Sequence, residues 1–187
     1  MERTGTAQPR PPAGERRSRL RQYQVQLLER MQAAKTGAAV GGRELGILLG
    51  GQHCLLDLTQ ISEIVPLQPL TPVPLAQPWY RGLANIRGAL TGVIDLARYQ
   101  ELAATPFGAD SRLITFAPGL GFNCALQVER ILGLRKLDEM VAAPETATVA
   151  QAPVWRQQQF QDSVGQDWMR IDLALLVCEA RFLQVGL

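Results

Sequence analysis

The chain predicts a mainly all-β fold built from small, tightly turned sheets. Short runs of β-compatible apolar residues recur from Leu45 onward, Gly and Pro punctuate them, and little of that stretch has a helical period. Many short strands with Gly/Pro turns indicate a small-barrel architecture rather than a doubly wound one.

Before that region lies an arm. Residues 1–14 carry Pro9, Pro11 and Pro12 with Gly5 and Gly14, a composition expected to be disordered. From Glu15 to Lys35 there is no Pro or Gly, and Leu20, Tyr23, Leu27 and Met31 form a helical stripe among arginines. Thr36 to Gly42 ends that helix as a Gly-rich link, so the chain divides into an extension over 1–42 and a domain over 43–187.

In the domain, Leu45–Leu49 and His53–Leu58 read as a hairpin turned at Gly50-Gly51. A helical turn is expected over Leu58–Ser62, then a strand at Ile61–Val65. The prolines of Leu70-Thr71-Pro72-Val73-Pro74 exclude a central strand and make that stretch a surface connection. Leu90–Ile94 is a strand, followed by a short helix over Asp95–Ala103 with Asp95 as its N-cap. Arg112–Ala117 and Asn123–Val128 form a second hairpin, and Arg130–Leu137 another strand. Residues 138–153 are a connector, Val154–Phe160 and Asp167–Ile171 bracket a turn at Gly165, and a helix over Asp172–Phe182 closes the domain.

Charge is divided unevenly. Residues 1–36 hold eight Lys/Arg against three acids, and the remainder eleven against fourteen, so the arm is +5 and the domain −3. A basic amphipathic helix over 15–35 suits an acidic membrane surface, its own domain, or self-association. The acidic domain and the lack of aromatic interleaving argue against nucleic acid. Cys54, Cys124 and Cys178 are odd in number, widely spaced and set in apolar runs, so buried free thiols in a reducing cytosol are expected. No apolar run approaches the ~18–20 residues that span a bilayer, and the N-terminus does not read as a signal peptide. The location expected is cytoplasmic, with no direct membrane insertion.

Candidate chemistry is sparse. His53 is the sole histidine, no cluster has metal-ligand spacing, and no Gly-rich piece has the context of a phosphate loop, so no catalytic residue, cofactor or metal is assigned. Asp57, Glu63, Asp95 and Asp172 are the acids nearest apolar runs. Asp95 and Asp172 have a simpler reading as helix caps, and Asp57 as a turn former. Trp79, Trp155 and Trp168 read as core residues.

The stretch from Pro78 to Leu96 organises the rest. Gly82 and Gly88 bracket Leu83–Arg87, which reads as a sharp polar excursion between two strands, displaying Arg87 to a partner. Arg87 and Glu63 are isolated charges in apolar surroundings. We expect them to pair bidentately across adjacent strands and shape the loop. The spacing from Trp79 to Asp95 is echoed by that from Trp155 to Asp172, sixteen residues against seventeen, which suggests two similar halves.

These residues also carry a family resemblance. Ile-Ser-Glu-Ile-Val at 61–65, the Thr-Pro-Val-Pro run, Trp-Tyr-Arg-Gly-Leu-Ala-Asn-Ile-Arg-Gly and Gly-Val-Ile-Asp-Leu resemble, in order and spacing, the CheW-like adaptor domain of bacterial chemosensory arrays. The arm and the terminal Phe-Leu-Gln-Val-Gly-Leu look most like the PilI-type, twitching-motility member. The resemblance implies two five-stranded β-barrels sharing a core, with N- and C-terminal helices. It implies a non-catalytic adaptor coupling a chemoreceptor's hairpin tip to a CheA-type histidine kinase in a type IV pilus pathway. By motif it carries partner binding onto Glu63, Gly82, Asn85, Arg87 and Gly88. Alternatives are a flagellar chemotaxis CheW-type coupling protein, or a membrane-surface or polyanion-binding module working through the basic arm.

Overall fold

The computed structural model describes residues 42–143 and 152–187. The helix predicted over 15–35 and part of the 138–153 connector lie outside the described residues. Eleven strands are described: β1 (Arg43–Leu49), β2 (Gln52–Asp57), β3 (Ile61–Pro66), β4 (Tyr80–Ile86), β5 (Ala89–Ile94), β6 (Arg112–Phe116), β7 (Cys124–Val128), β8 (Arg130–Lys136), β9 (Val141–Ala142), β10 (Gln159–Gln161) and β11 (Asp167–Ile171). They form one sheet ordered β8-β1-β2-β11-β10-β9 and another ordered β3-β6-β7-β5-β4. The all-β expectation holds, with the two-residue β9 as a sixth strand in one sheet.

Most strands arise where the alternation placed them, but β9 falls in the expected connector and β4 runs on through Leu83–Ile86. Leu45, Ile47 and Leu49 on β1 are buried, and the hairpin to β2 turns on Gly50 and Gly51, both at positive φ. Positive φ at both central residues is what a two-residue hairpin turn of the right twist requires. The segment after β2 is not helical. Asp57 instead closes a turn, accepting from Gln60 N at 3.0 Å through its carbonyl and from Thr59 N at 2.8 Å through its carboxylate.

The halves repeat one local design. Asp95 N donates to Trp79 O and Asp172 N to Trp155 O, each at 2.8 Å. Asp95 caps α1 (Leu96–Tyr99) and Asp172 caps α2 (Leu173–Leu176). The strand preceding each aspartate joins its sheet in parallel, β5 with β7 and β11 with β2. Both helices are shorter than the sequence suggests. The predicted closing helix breaks at Cys178-Glu179 into α2 and α3 (Ala180–Leu183).

The larger core brings both sheets together around an aromatic group. Trp79 stacks on Phe182 with centroids 5.6 Å apart and meets Tyr99 edge-on at 5.2 Å. Tyr99 donates its hydroxyl to Glu179 Oε2 at 2.5 Å, and Trp155 Nε1 donates to the same oxygen at 2.9 Å. Desolvation first, and then this bond to Glu179, hold the Tyr99 phenol well above its ordinary pKa. All three tryptophans are buried, as expected. A smaller cluster of Val65, Ala84, Ile86, Val93, Leu113 and Ala125 lies within the β3–β7 sheet, with Leu67 and Leu70 packed on it.

Burial separates the cysteines. Cys54 is buried with its thiol pushed up to about 12, Cys124 is half-buried at about 11, and both shifts come from desolvation. Cys178, between α2 and α3, is exposed, contrary to expectation.

Candidate functional site

The predicted knuckle is a hairpin tip. Leu83–Ile86 are strand, not an excursion, and only Arg87 and Gly88 form the turn between Ile86 and Ala89. Arg87 has φ +51° and Gly88 φ +87°, the combination a two-residue turn demands. Asn85 Oδ1 accepts from Gly88 N at 2.8 Å and tightens it. Asn85 and Gly88 therefore act on the turn's shape, while Arg87 is its displayed group.

Glu63 and Arg87 do come together, with Glu63 Oε2 2.7 Å from Arg87 Nε. The strands that carry them are not adjacent. β3 and β4 are the two edges of the five-stranded sheet, so the pair ties opposite edges at the hairpin tip. The closest approach is through Nε. Glu63 is positioned by a bulge between Ile61 and Ile64, and its main chain exchanges hydrogen bonds with the Thr115 hydroxyl. Arg87 is 79% exposed and Glu63 30%, so the pair orients the guanidinium more than it stabilises the fold.

Gly82 is different in kind. With φ +124°, an added Cβ would lie 2.3 Å from Thr71 O. The proline-bounded strap presses there, with Thr71 N and O each bonded to Leu83 at 2.8 Å. Gly82 is needed so that the strap can lie on β4, and it displays nothing. Apolar groups flank the tip: Leu90, paired with Asn85 across the hairpin, is 63% exposed, and Ile64 on β3 is 42% exposed. Alternation left Ile64 visible in the sequence, since two successive apolar residues, Ile64 and Val65, cannot both face inward.

The remaining candidates scatter. Asp95 is fully buried and accepts from Arg98 N, Thr105 N and Thr105 Oγ1. Asp172 Oδ1 accepts from Leu175 N and from Gln60 Nε2, and Leu173 N donates to Gln60 Oε1. Asp57 shares Arg170 with Glu44. Nothing in the sequence singled out Glu44, yet it is buried, and desolvation pushes its carboxyl above the ordinary range against the pull of Arg170. His53 lies edge-on to Trp168 at 5.0 Å. It lines a cleft of about 450 Å³ in which Asp167 is the single carboxylate among the described residues. Among the described residues no group of three or more His, Cys, Asp or Glu could hold a metal ion. No described helix is long and apolar enough to cross a membrane.

Comparison with known proteins places this architecture. A family model described as the CheW-like domain matches residues 44–177. The chain is 30% identical over 77 residues to the chemotaxis protein CheW of Bacillus subtilis, covering 41% of this chain and 49% of that protein. It is 23% identical over 91 residues to the protein PilI of Pseudomonas aeruginosa, covering 49% and 51%. The chemotaxis protein CheW of Rhizobium meliloti is 37% identical over 68 residues, covering 35% and 44%. The matches thus span about half the length of these curated relatives. The crystal structure of the scaffolding protein TtCheW from Thermoanaerobacter tengcongensis superposes with a TM-score of 0.60 at 19% identity, over 71% of this chain and 90% of that one, and shows the same fold. With the family model matched across most of the chain, this protein belongs to the CheW-like domain family.

Proposed function

We infer that this chain is a non-catalytic, cytoplasmic adaptor that couples the signalling tip of a chemoreceptor to a CheA-type histidine kinase. The observation that carries the reading is the Arg87 turn, held by Gly88 φ, Asn85 Oδ1 and Glu63, and displayed at a sheet tip. A preformed cationic turn loses little freedom on docking, which favours a modest contact repeated in an array. In this reading Glu63, Asn85, Arg87 and Gly88 form the contact or its frame, and Gly82 supports it from behind. Residues 43–187 act as the adaptor domain and 1–42 as an appended arm whose basic, amphipathic sequence over 15–35 is available for self-association.

Similarity to PilI favours a type IV pilus, twitching-motility pathway, and similarity to two CheW proteins favours a flagellar one. We assign the pilus pathway because the basic arm and the C-terminal residues look most like the PilI type. Capture of the organism's CheA-type kinase by the immobilised full chain tests the function. Wild type retains the kinase, and Arg87→Glu loses it while melting normally. Equal capture by both removes the docking role from the turn.

A further inference from the structure

The segment between β3 and β4 is fastened to the sheet by its main chain. Residues Thr71 to Leu75 are all exposed, so their side chains hold little. At one end Thr71 N donates to Leu83 O and Leu83 N to Thr71 O, each at 2.8 Å, which covers the free edge of β4 at that point. An edge strand left bare offers unpaired amides and carbonyls to other chains. At the other end the fastening comes from residues 185–187. Gln77 N donates to Val185 O at 2.7 Å and Leu187 N to Leu75 O at 2.8 Å, and Ala76 bridges Gly186 antiparallel between them.

Leu75 is held in a strained form, at φ +56°. Pro74 precedes it, and a turn with proline followed by positive φ ordinarily places Gly or Asn where this leucine stands. Its side chain is 79% exposed, so packing does not impose the conformation. Strain of this kind persists only where the surroundings fix it, and here the carbonyl of Leu75 is the acceptor for Leu187 N. The segment that supplies the donor is itself anchored. Phe182 is buried and stacked on Trp79, and Val185 packs partly buried against the larger core, while Gly186 and Leu187 are exposed.

We propose that residues 71–77 are a strap with two positions over the edge of β4, latched shut by residues 185–187. When Leu187 N lets go, Leu75 relaxes to negative φ and its carbonyl turns away. Pro72 and Pro74 fix φ on either side of Val73, so the strap swings as one piece and Thr71 parts from Leu83. Leu67 and Leu70 stay packed on the smaller cluster, which places the hinge just before Thr71. Whether the β4 edge is covered is thereby decided at Leu187, which is remote from it in sequence. The device holds whether or not the Arg87 turn docks a partner.

Hydrogen exchange of the full chain, read residue by residue, tests it. Leu187→Pro removes the latching N–H and should speed exchange at the Thr71 and Leu83 amides about tenfold, with the central strands β6 and β7 at wild-type rates. Leu75→Asn, which accepts positive φ more readily, should slow exchange at the same two amides. Unchanged exchange at Thr71 and Leu83 in Leu187→Pro would overturn the latch. Equal acceleration in β6 and β7 would overturn it too, because residues 185–187 would then support the whole sheet and not the strap. Faster exchange in Leu75→Asn would show that no strain is stored at that turn, and the two-position strap would fail with it.

Discussion

Glu63 lies on one edge strand of the five-stranded sheet and Arg87 in the turn that ends the opposite edge strand, and their side chains nevertheless meet at 2.7 Å. The sheet must curl for this to happen, and the pair marks where its edges approach. The contact is exposed on the arginine side, where water and salt screen it. Glu63→Gln should therefore cost no more than about 1 kcal/mol of stability while freeing the guanidinium to sample other directions. Urea unfolding measures the first effect. A loss several times larger would mean the pair holds the sheet together instead of aiming a side chain.

Gly82 must be read apart from the turn it precedes. An added Cβ meets Thr71 O at 2.3 Å, and the positive φ disfavours any side chain. Gly82→Ala should destabilise by about 1–3 kcal/mol, with loss of protection at the Thr71 and Leu83 amides. Hydrogen exchange at those amides checks it, and unchanged protection would show that the strap yields freely. Gly82→Asp would therefore disturb the fold as well as any interface, and Arg87 variants are the cleaner probes of docking.

Much of this was legible in the residues, and the reason is local. Alternation placed most strands, Gly50-Gly51 placed the first hairpin turn, and the matching Trp-to-Asp spacings foretold two capped helices that the structure makes near-equivalent. Glu63 and Arg87 stood out because a charge among apolar neighbours needs a partner. What the chain did not disclose is set by distance in sequence. That Glu63 and the Arg87 turn end opposite edges of the sheet depends on β6, β7 and β5 intervening between β3 and β4. Glu44 and Arg170 are 126 residues apart, and neither has a local signature.

The paired aspartates differ in burial, and that difference sets their worth. Both cap a short helix, but Asp95 is fully buried and also holds the Thr105 amide and hydroxyl. Asp172→Ala should cost about 0.5–2 kcal/mol, the ordinary value of a cap. Asp95→Ala should exceed it by roughly 1–3 kcal/mol for the stranded Thr105 groups. Chemical denaturation of the two variants compares them directly, and equal losses would show that water reaches Thr105.

Glu44 supplies a pH dependence of known sign. Its folded carboxyl titrates above its ordinary value of 4.5, chiefly through desolvation. The folded state therefore holds the proton more tightly than the unfolded one. The resulting stability is present below pH 4.5 and is lost as pH rises through the folded value. The stability of wild type relative to Glu44→Gln should fall as pH rises above 4.5. A difference that rises instead would mean the Arg170 attraction outweighs burial. Removing the arginine is harsher: Arg170→Met leaves Glu44 buried without its cation and should cost about 3–5 kcal/mol near neutral pH.

The cysteines offer a test of surface exposure. Cys178 should be alkylated rapidly at pH 8 in the folded chain, while Cys54, buried and pushed up to about 12, reacts only on unfolding. Mass spectrometry of the labelled chain locates each adduct. Fast modification of Cys54 would contradict the packing of β2 between β1 and β11.

Co-sedimentation of three components tests the adaptor claim most directly: the kinase regulatory domain, the receptor signalling fragment and the full chain. The account predicts that the receptor fragment sediments with the kinase domain when wild-type chain is present, and fails to do so without it or with Arg87→Glu. Receptor and kinase fragments that remain separate in the presence of wild-type chain would contradict it.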